Sequence, residues 1–436
     1  MADDSTTLGK RRIRLRLVFA MGLLAFVTAV IYQVTSSLKS EPKFHIGKHL
    51  PPGKVQPQIV CGYMRAAFLA PDGSVWAWGQ GYNGKTTRTL SVYGTPKRLG
   101  HAIDWRKIAI GEEELFGIKE DGTLWRCNLD STLVGNPVIK TNFAELFERV
   151  GADSDWSEIS VNGMHHVLAL KQDGSLWAMG ENKWGELGQG YIGSPITNLV
   201  QVLEGAKWKD ASASFPRNYG LREDGTIWRW GVRPTTMFTT PEADATPAQI
   251  SPDTNWVAIA SGTLFVVALK SDNSLWIHGI YATLITEYTP SMDAESFSRI
   301  GSAKDWVEIV SSQSHILVKK RDGSWWSCGN DFYGQLGIGR ATKGVSPLLQ
   351  MLYPLELCSV VAGTGTTLIY APDGKIWSFG ARLGSPEISE RKREFYTKAN
   401  QLAEKIGLSP YYFSYRDYEY DVKPHLVWQW PPVNSP

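Results

Sequence analysis

Asp173-Gly174-Ser175-Leu176-Trp177, the stretch on which the fold is read, returns six more times along the 436 residues. The other copies are Asp72-Gly73-Ser74-Val75-Trp76, Asp121-Gly122-Thr123-Leu124-Trp125, Asp224-Gly225-Thr226-Ile227-Trp228, Asp272-Asn273-Ser274-Leu275-Trp276, Asp322-Gly323-Ser324-Trp325-Trp326 and Asp373-Gly374-Lys375-Ile376-Trp377. Successive Asp positions lie 49, 52, 51, 48, 50 and 51 residues apart. Asp-Gly between two apolar runs is a hairpin signal, and it predicts a two-residue type I′ turn with positive φ at both central residues. The arms are runs such as Val167-Leu168-Ala169-Leu170 and residues 175–180. A preceding strand is marked by Asp104-Trp105, Asp155-Trp156, Lys207-Trp208, Asn255-Trp256 and Asp305-Trp306, and a following one by Pro-led runs such as Thr197 to Leu203. Four antiparallel strands in about fifty residues make a blade that buries both sheet faces only when neighbours stack on it. The expected class is all-β: a seven-bladed β-propeller, with an N-terminal transmembrane helix and a C-terminal amphipathic helix.

Composition agrees with many short strands and tight turns, with Gly 42, Pro 23 and Trp 18. Lys+Arg 45 against Asp+Glu 43 leaves a net charge of +2, too small an excess for a nucleic-acid binder that must displace counterions from phosphates. No nucleic-acid partner is expected. Cys61, Cys127, Cys328 and Cys358 contain no C-x-x-C pair and read as buried free thiols, with no metal or redox site signalled.

Residues 1–16 form a basic segment in which 10–16 carry five positive charges, and Leu17 to Val34 follow without a charge. Such a stretch spans roughly 27 Å at ~1.5 Å per residue, close to the ~30 Å hydrocarbon core. We expect a retained membrane anchor over 17–34, the N-terminus in the cytoplasm by the positive-inside rule, and the large domain in the periplasm or outside the cell. Residues 35–56 read as a linker and 57–385 as the propeller. Residues 386–436 hold a helix, opened by Ser385-Pro386 and ended by Gly407 and Pro410, then a tail rich in Tyr and Trp. Within that tail Pro424 to Trp430 is a candidate outer strand for blade seven, and residues 55–60 compete for ring closure.

The stretches Trp76-Ala77-Trp78-Gly79, residues 180–190 and residues 329–339, the last two ending Gly-Glu-Leu-Gly-Gln-Gly and Gly-Gln-Leu-Gly-Ile-Gly, resemble the repeat of the regulator of chromosome condensation family. The resemblance covers residues 57–385 and is strongest in blades three and six. It implies a propeller that binds protein surfaces, as family members with exchange-factor, ubiquitin-ligase and β-lactamase-inhibitor roles do. Exchange activity is not expected, because intervals of 48–52 residues leave no room for the exchange factor's wedge insertion.

No acidic pair, Ser/His/Asp order, phosphate loop or metal-ligand spacing stands out, so neither enzyme nor cofactor is expected. Arg65, Glu114, His166, Arg217 and His315, with Phe265 and Thr366, stand at one repeat position and form a candidate ring at a channel mouth. The bland reading of that set is a repeat-fixed residue satisfying local backbone groups. The seven repeat tryptophans read as inter-blade packing. Tyr82, Trp184, Phe332 and Tyr333 lie ten or eleven residues after their Asp, so they share a rim and are the candidate partner-binding residues. The expected function is a membrane-anchored protein-interaction scaffold, and the alternative is a carbohydrate-binding module at the cell surface.

Overall fold

The computed structural model describes residues 44–62, 65–81, 91–129, 146–162, 166–215, 217–233, 242–263, 265–279, 296–342, 344–356, 358–381, 383 and 420–431. The anchor segment 17–34 and the C-terminal helix lie outside the described residues. Among those described, no helix is long and apolar enough to cross a membrane.

Seven four-stranded antiparallel sheets follow one another along the chain. In blade three the strands are Trp156–Asn162, His166–Lys171, Leu176–Asn182 and Gly193–Gln201, each paired with the next. The first strands of successive blades lie side by side, and the last, Ser359–Ala362, touches the first, Gln58–Cys61. That contact closes a ring of seven blades. Alternation along the strands buries apolar side chains between neighbouring sheets; one such layer joins Phe116, Ile118 and Leu124 of blade two to Trp156, Val167 and Ala169 of blade three.

Hairpin geometry corrects the type I′ expectation. Gly73 donates its N–H to Ala70 O at 2.9 Å and Ala70 donates to Ser74 O at 2.8 Å, which defines a three-residue loop. Positive φ falls on the residue after the Asp alone, 85° at Gly73, 79° at Gly225 and 62° at Asn273. This is a type I turn followed by a left-handed bulge residue. The Asp keeps ordinary φ and uses its side chain instead: Asp173 Oδ1 accepts Ser175 N–H at 2.8 Å and the Ser175 hydroxyl at 2.7 Å, while Trp177 Nε1 donates to Ser175 Oγ at 3.0 Å. The same relay recurs in blades one, two, four, five and six.

The six tryptophans of that relay are half-buried, whereas Trp377 of blade seven, where Lys375 replaces the hydroxyl residue, is fully enclosed. The deeper ones open the first strands, namely Trp105, Trp156, Trp208, Trp256 and Trp306, all 3% exposed or less. The two sets meet edge to face, as in Trp156 against Trp177 at 6.4 Å and 85°. A lysine two residues before the Asp sits in the corner: Lys171 Nζ lies 5.0 Å from the Trp156 ring and 5.2 Å from the Trp177 ring, and pairs with Asp153 and Asp155. Lys119, Lys270 and Lys320 repeat the arrangement.

Blades seven and one meet differently. Elsewhere the chain crosses each seam from an outer strand to the next first strand, but no strand is shared here. Of the two segments weighed for closure, Gln58–Cys61 is the first strand of blade one and Tyr420–Gln429 the outer strand of blade seven. Aromatic contacts hold the seam: Phe68 on Tyr370 at 4.9 Å and Trp76 on Trp428 at 4.8 Å. Gly374 O accepts the Trp430 N–H at 2.8 Å, where its counterparts Gly122 O and Gly174 O accept from Trp156 and Trp208 of the following blade. Residues 46–57 run over the same seam, with Leu50 N donating to Pro372 O at 2.8 Å and Val55 N to Pro71 O at 3.2 Å.

Candidate interaction face

Each third strand runs away from its Asp hairpin, so the loops joining third to outer strands gather on the opposite face, together with the turns joining first to second strands. Blades three and six carry closely matched loops there. Leu187 N–H is held by Asn182 Oδ1 at 3.1 Å, and Leu336 N–H by Asp331 Oδ1 at 3.1 Å. Trp184 N–H is held by Glu186 Oε2 at 2.8 Å, and Tyr333 N–H by Gln335 Oε1 at 3.0 Å. Burial pushes the Glu186 and Asp331 carboxyls above the ordinary carboxylate range. These bonds are internal to each loop, so its shape does not depend on a ligand.

The candidate rim residues separate in this frame. Trp184 is 36% exposed and Phe332 48%, whereas Tyr333 is half-buried with its ring over Gly365 of blade seven. Tyr82 lies outside the described residues. Tyr191 and Ile192, exposed at 52% and 57%, belong to the same loop, where Asn182 Nδ2 donates to Tyr191 O at 3.0 Å, and were not singled out in the sequence because they fall outside the repeat. Trp184, Tyr191 and Ile192 are thus three exposed apolar residues on the loop that follows the third strand of blade three.

The candidate ring residues begin the second strands, opposite Gly79, Asn128, Gly180, Gly231 and Gly329 for Arg65, Glu114, His166, Arg217 and His315. Arg65, His166, Arg217 and His315 are buried, as are Phe265 and Thr366, and Glu114 is half-buried. The two histidines bridge seams. His166 Nε2 lies 2.9 Å from Asn218 Oδ1 of blade four, and Asn218 Nδ2 donates to Glu186 O at 2.7 Å. His315 Nε2 lies 3.0 Å from Thr367 Oγ1 of blade seven, whose hydroxyl donates to Gln335 O at 2.8 Å. That hydroxyl therefore accepts from Nε2–H, and His315 Nδ1 accepts from Ser312 Oγ at 3.0 Å. Burial lowers the His315 pKa to about 3. The Gly-Glu/Gln-Leu-Gly tails are thus the far end of an inter-blade latch.

Glu114 and His166 both line a small, partly open cleft between blades two and three. Among the described residues no group of three or more His, Cys, Asp or Glu side chains is placed to hold a metal. None of the four cysteines is in a disulfide, and burial pushes the Cys61, Cys328 and Cys358 thiols up to about 12.

No family model matches the chain. It is 24% identical over 368 residues to the mouse regulator of chromosome condensation, covering 81% of this chain and 79% of that protein. Among solved structures, Prp20p of Saccharomyces cerevisiae superimposes with a TM-score of 0.59 at 15% identity, over 83% of this chain and 87% of that one. Human WBSCR16 gives 0.58 at 14% identity, over 74% and 91%. Fold, repeat and relatives agree: the chain is a regulator-of-chromosome-condensation-like seven-bladed β-propeller.

Proposed function

We propose that the propeller is a protein-interaction scaffold that receives its partner on the face opposite the Asp hairpins. The observation that carries this reading is the exposure of Trp184, Tyr191 and Ile192 on one loop of blade three and of Phe332 on the matching loop of blade six, both loops held by internal hydrogen bonds. Large apolar side chains carried on loops whose backbone is already ordered need less reorganisation on binding, which favours them as anchors. Relatives lend support: structures of yeast Prp20p are described in terms of binding to Gsp1p and histones and of a complex with Kap60.

Membrane attachment through residues 17–34, with the propeller outside the cytoplasm, belongs to the same proposal and rests on the charge and hydropathy pattern of the N-terminus.

A photo-crosslinking residue placed at 192 or 332, with 72 on the hairpin face as control, tests the reading in native membranes. Protein adducts from 192 and 332 and few from 72 are expected. Adducts from 72 alone would overturn the assignment of the face. Glycan-array binding without any protein adduct would replace it with the carbohydrate reading.

A further inference from the structure

Proline follows one rule in the sheets. Five prolines stand in described strands, Pro96, Pro195, Pro247, Pro347 and Pro424, and all five are in outer strands, none in a first, second or third strand. Each lies where the register with the third strand shifts: Pro195 between the paired residues Gly193 and Ile196, Pro247 between Asp244 and Ala248, Pro347 between Ser346 and Leu349. Pro96 and Pro424 sit in the corresponding shifts of blades one and seven. The outer strands of blades two and five carry no proline, but they are only 2 residues long, Glu148–Arg149 and Ser298–Arg299.

An outer strand ends its sheet and has a hydrogen-bonded neighbour on one side alone. A bare edge of that kind is a template on which another chain can pair. Pairing needs consecutive N–H and C=O groups in flat register, as between second and third strands, where residues 166–170 pair with 176–180 without a break. Along the outer strands no regular run exceeds three residues. The proline there withholds an N–H, and the bulge turns the edge away. We propose that the rim of the propeller is closed to strand addition: the outer-strand prolines keep a second copy of this chain from pairing edge to edge, so that partners are recognised by side chains and not by backbone pairing. The inference does not depend on which face receives the partner.

Pro195 and Pro347 are exposed. The double variant Pro195→Thr with Pro347→Thr restores both N–H groups on a residue that suits strands. The full chain in detergent is followed by light scattering and hydrogen exchange, with Pro252→Thr, an exposed proline outside the strands, as control. At equal concentration the double variant is expected to hold about fivefold or more associated material than wild type or control, with new protection of amides in Gly193–Gln201 or Val345–Gln350. Adding Thr197→Lys and Val345→Lys should reverse that association, because a charged edge repels its copy. An unchanged mass in the double variant would overturn the proposal. So would association that leaves those amides unprotected or survives the two lysines, since either would place the contact elsewhere.

Discussion

His166 of blade three reaches across a seam to Asn218 of blade four, Nε2 to Oδ1 at 2.9 Å, and through Asn218 is tied to Glu186 O of its own blade. Asn218 Oδ1 also accepts Ser214 N–H at 2.9 Å, and the residue is fully buried. Asn218→Ala would take a buried partner from His166 Nε2 and from Ser214 N–H, while Glu186 O keeps the Trp230 Nε1–H bond at 2.8 Å. The expected loss is about 2–4 kcal/mol in urea unfolding. A change below about 0.5 kcal/mol would mean that the latch contributes nothing net.

His315 makes the matching bridge and stays neutral in the fold. Its folded pKa of about 3 lies below the ordinary 6.5, so its contribution is full above pH 6.5 and is lost as pH falls from there toward 3. Stability of the wild type should drop about 2 kcal/mol more between pH 6.5 and 5 than that of His315→Gln. Parallel pH profiles for the two proteins would show that the imidazole is not protected from protonation.

Trp156 and Trp177 face each other edge on, but Trp156 is wholly buried and Trp177 half-buried. Trp156→Ala should cost ~3–5 kcal/mol and Trp177→Ala roughly half as much, since the latter leaves a gap that water reaches. Equal costs would make burial a poor guide to this layer.

Two glycines with the same φ of 79° separate strain from clash. An added Cβ at Gly205 meets nothing within 4 Å, whereas at Gly225 it would stand 2.1 Å from Thr254 O of the connection to blade five. Gly205→Ala should cost about 1 kcal/mol from left-handed strain alone. Gly225→Ala should cost at least 2 kcal/mol more, because backbone must move. Similar melting temperatures for the two variants would count against so close an approach.

The blade count was legible because Asp, bulge residue and Trp punctuate every unit. The turn type was not, since Asp-Gly is compatible with positive φ at both residues or at the second alone. Only the paired strands show that the residue before Asp belongs to the loop. Ser or Thr two after the Asp was visible in six copies, yet its meaning needs Asp, hydroxyl and indole brought within 3 Å, as in Ser175. The lysines two before the Asp were equally visible, and gain sense only beside the first-strand Trp. Trp184 and Tyr333 do share a backbone path. Exposure divides them because a neighbouring blade covers Tyr333, and repeat register says nothing about neighbours.

The meeting of blades seven and one makes the ring a hoop fastened by a clasp. Six joints are spanned by continuous chain, while the seventh is riveted by Trp428, Trp430 and the run 46–57. Tension applied between the ends of the propeller falls on that clasp before any other joint, so the hoop is strong in rotation and compression but opens at one known place.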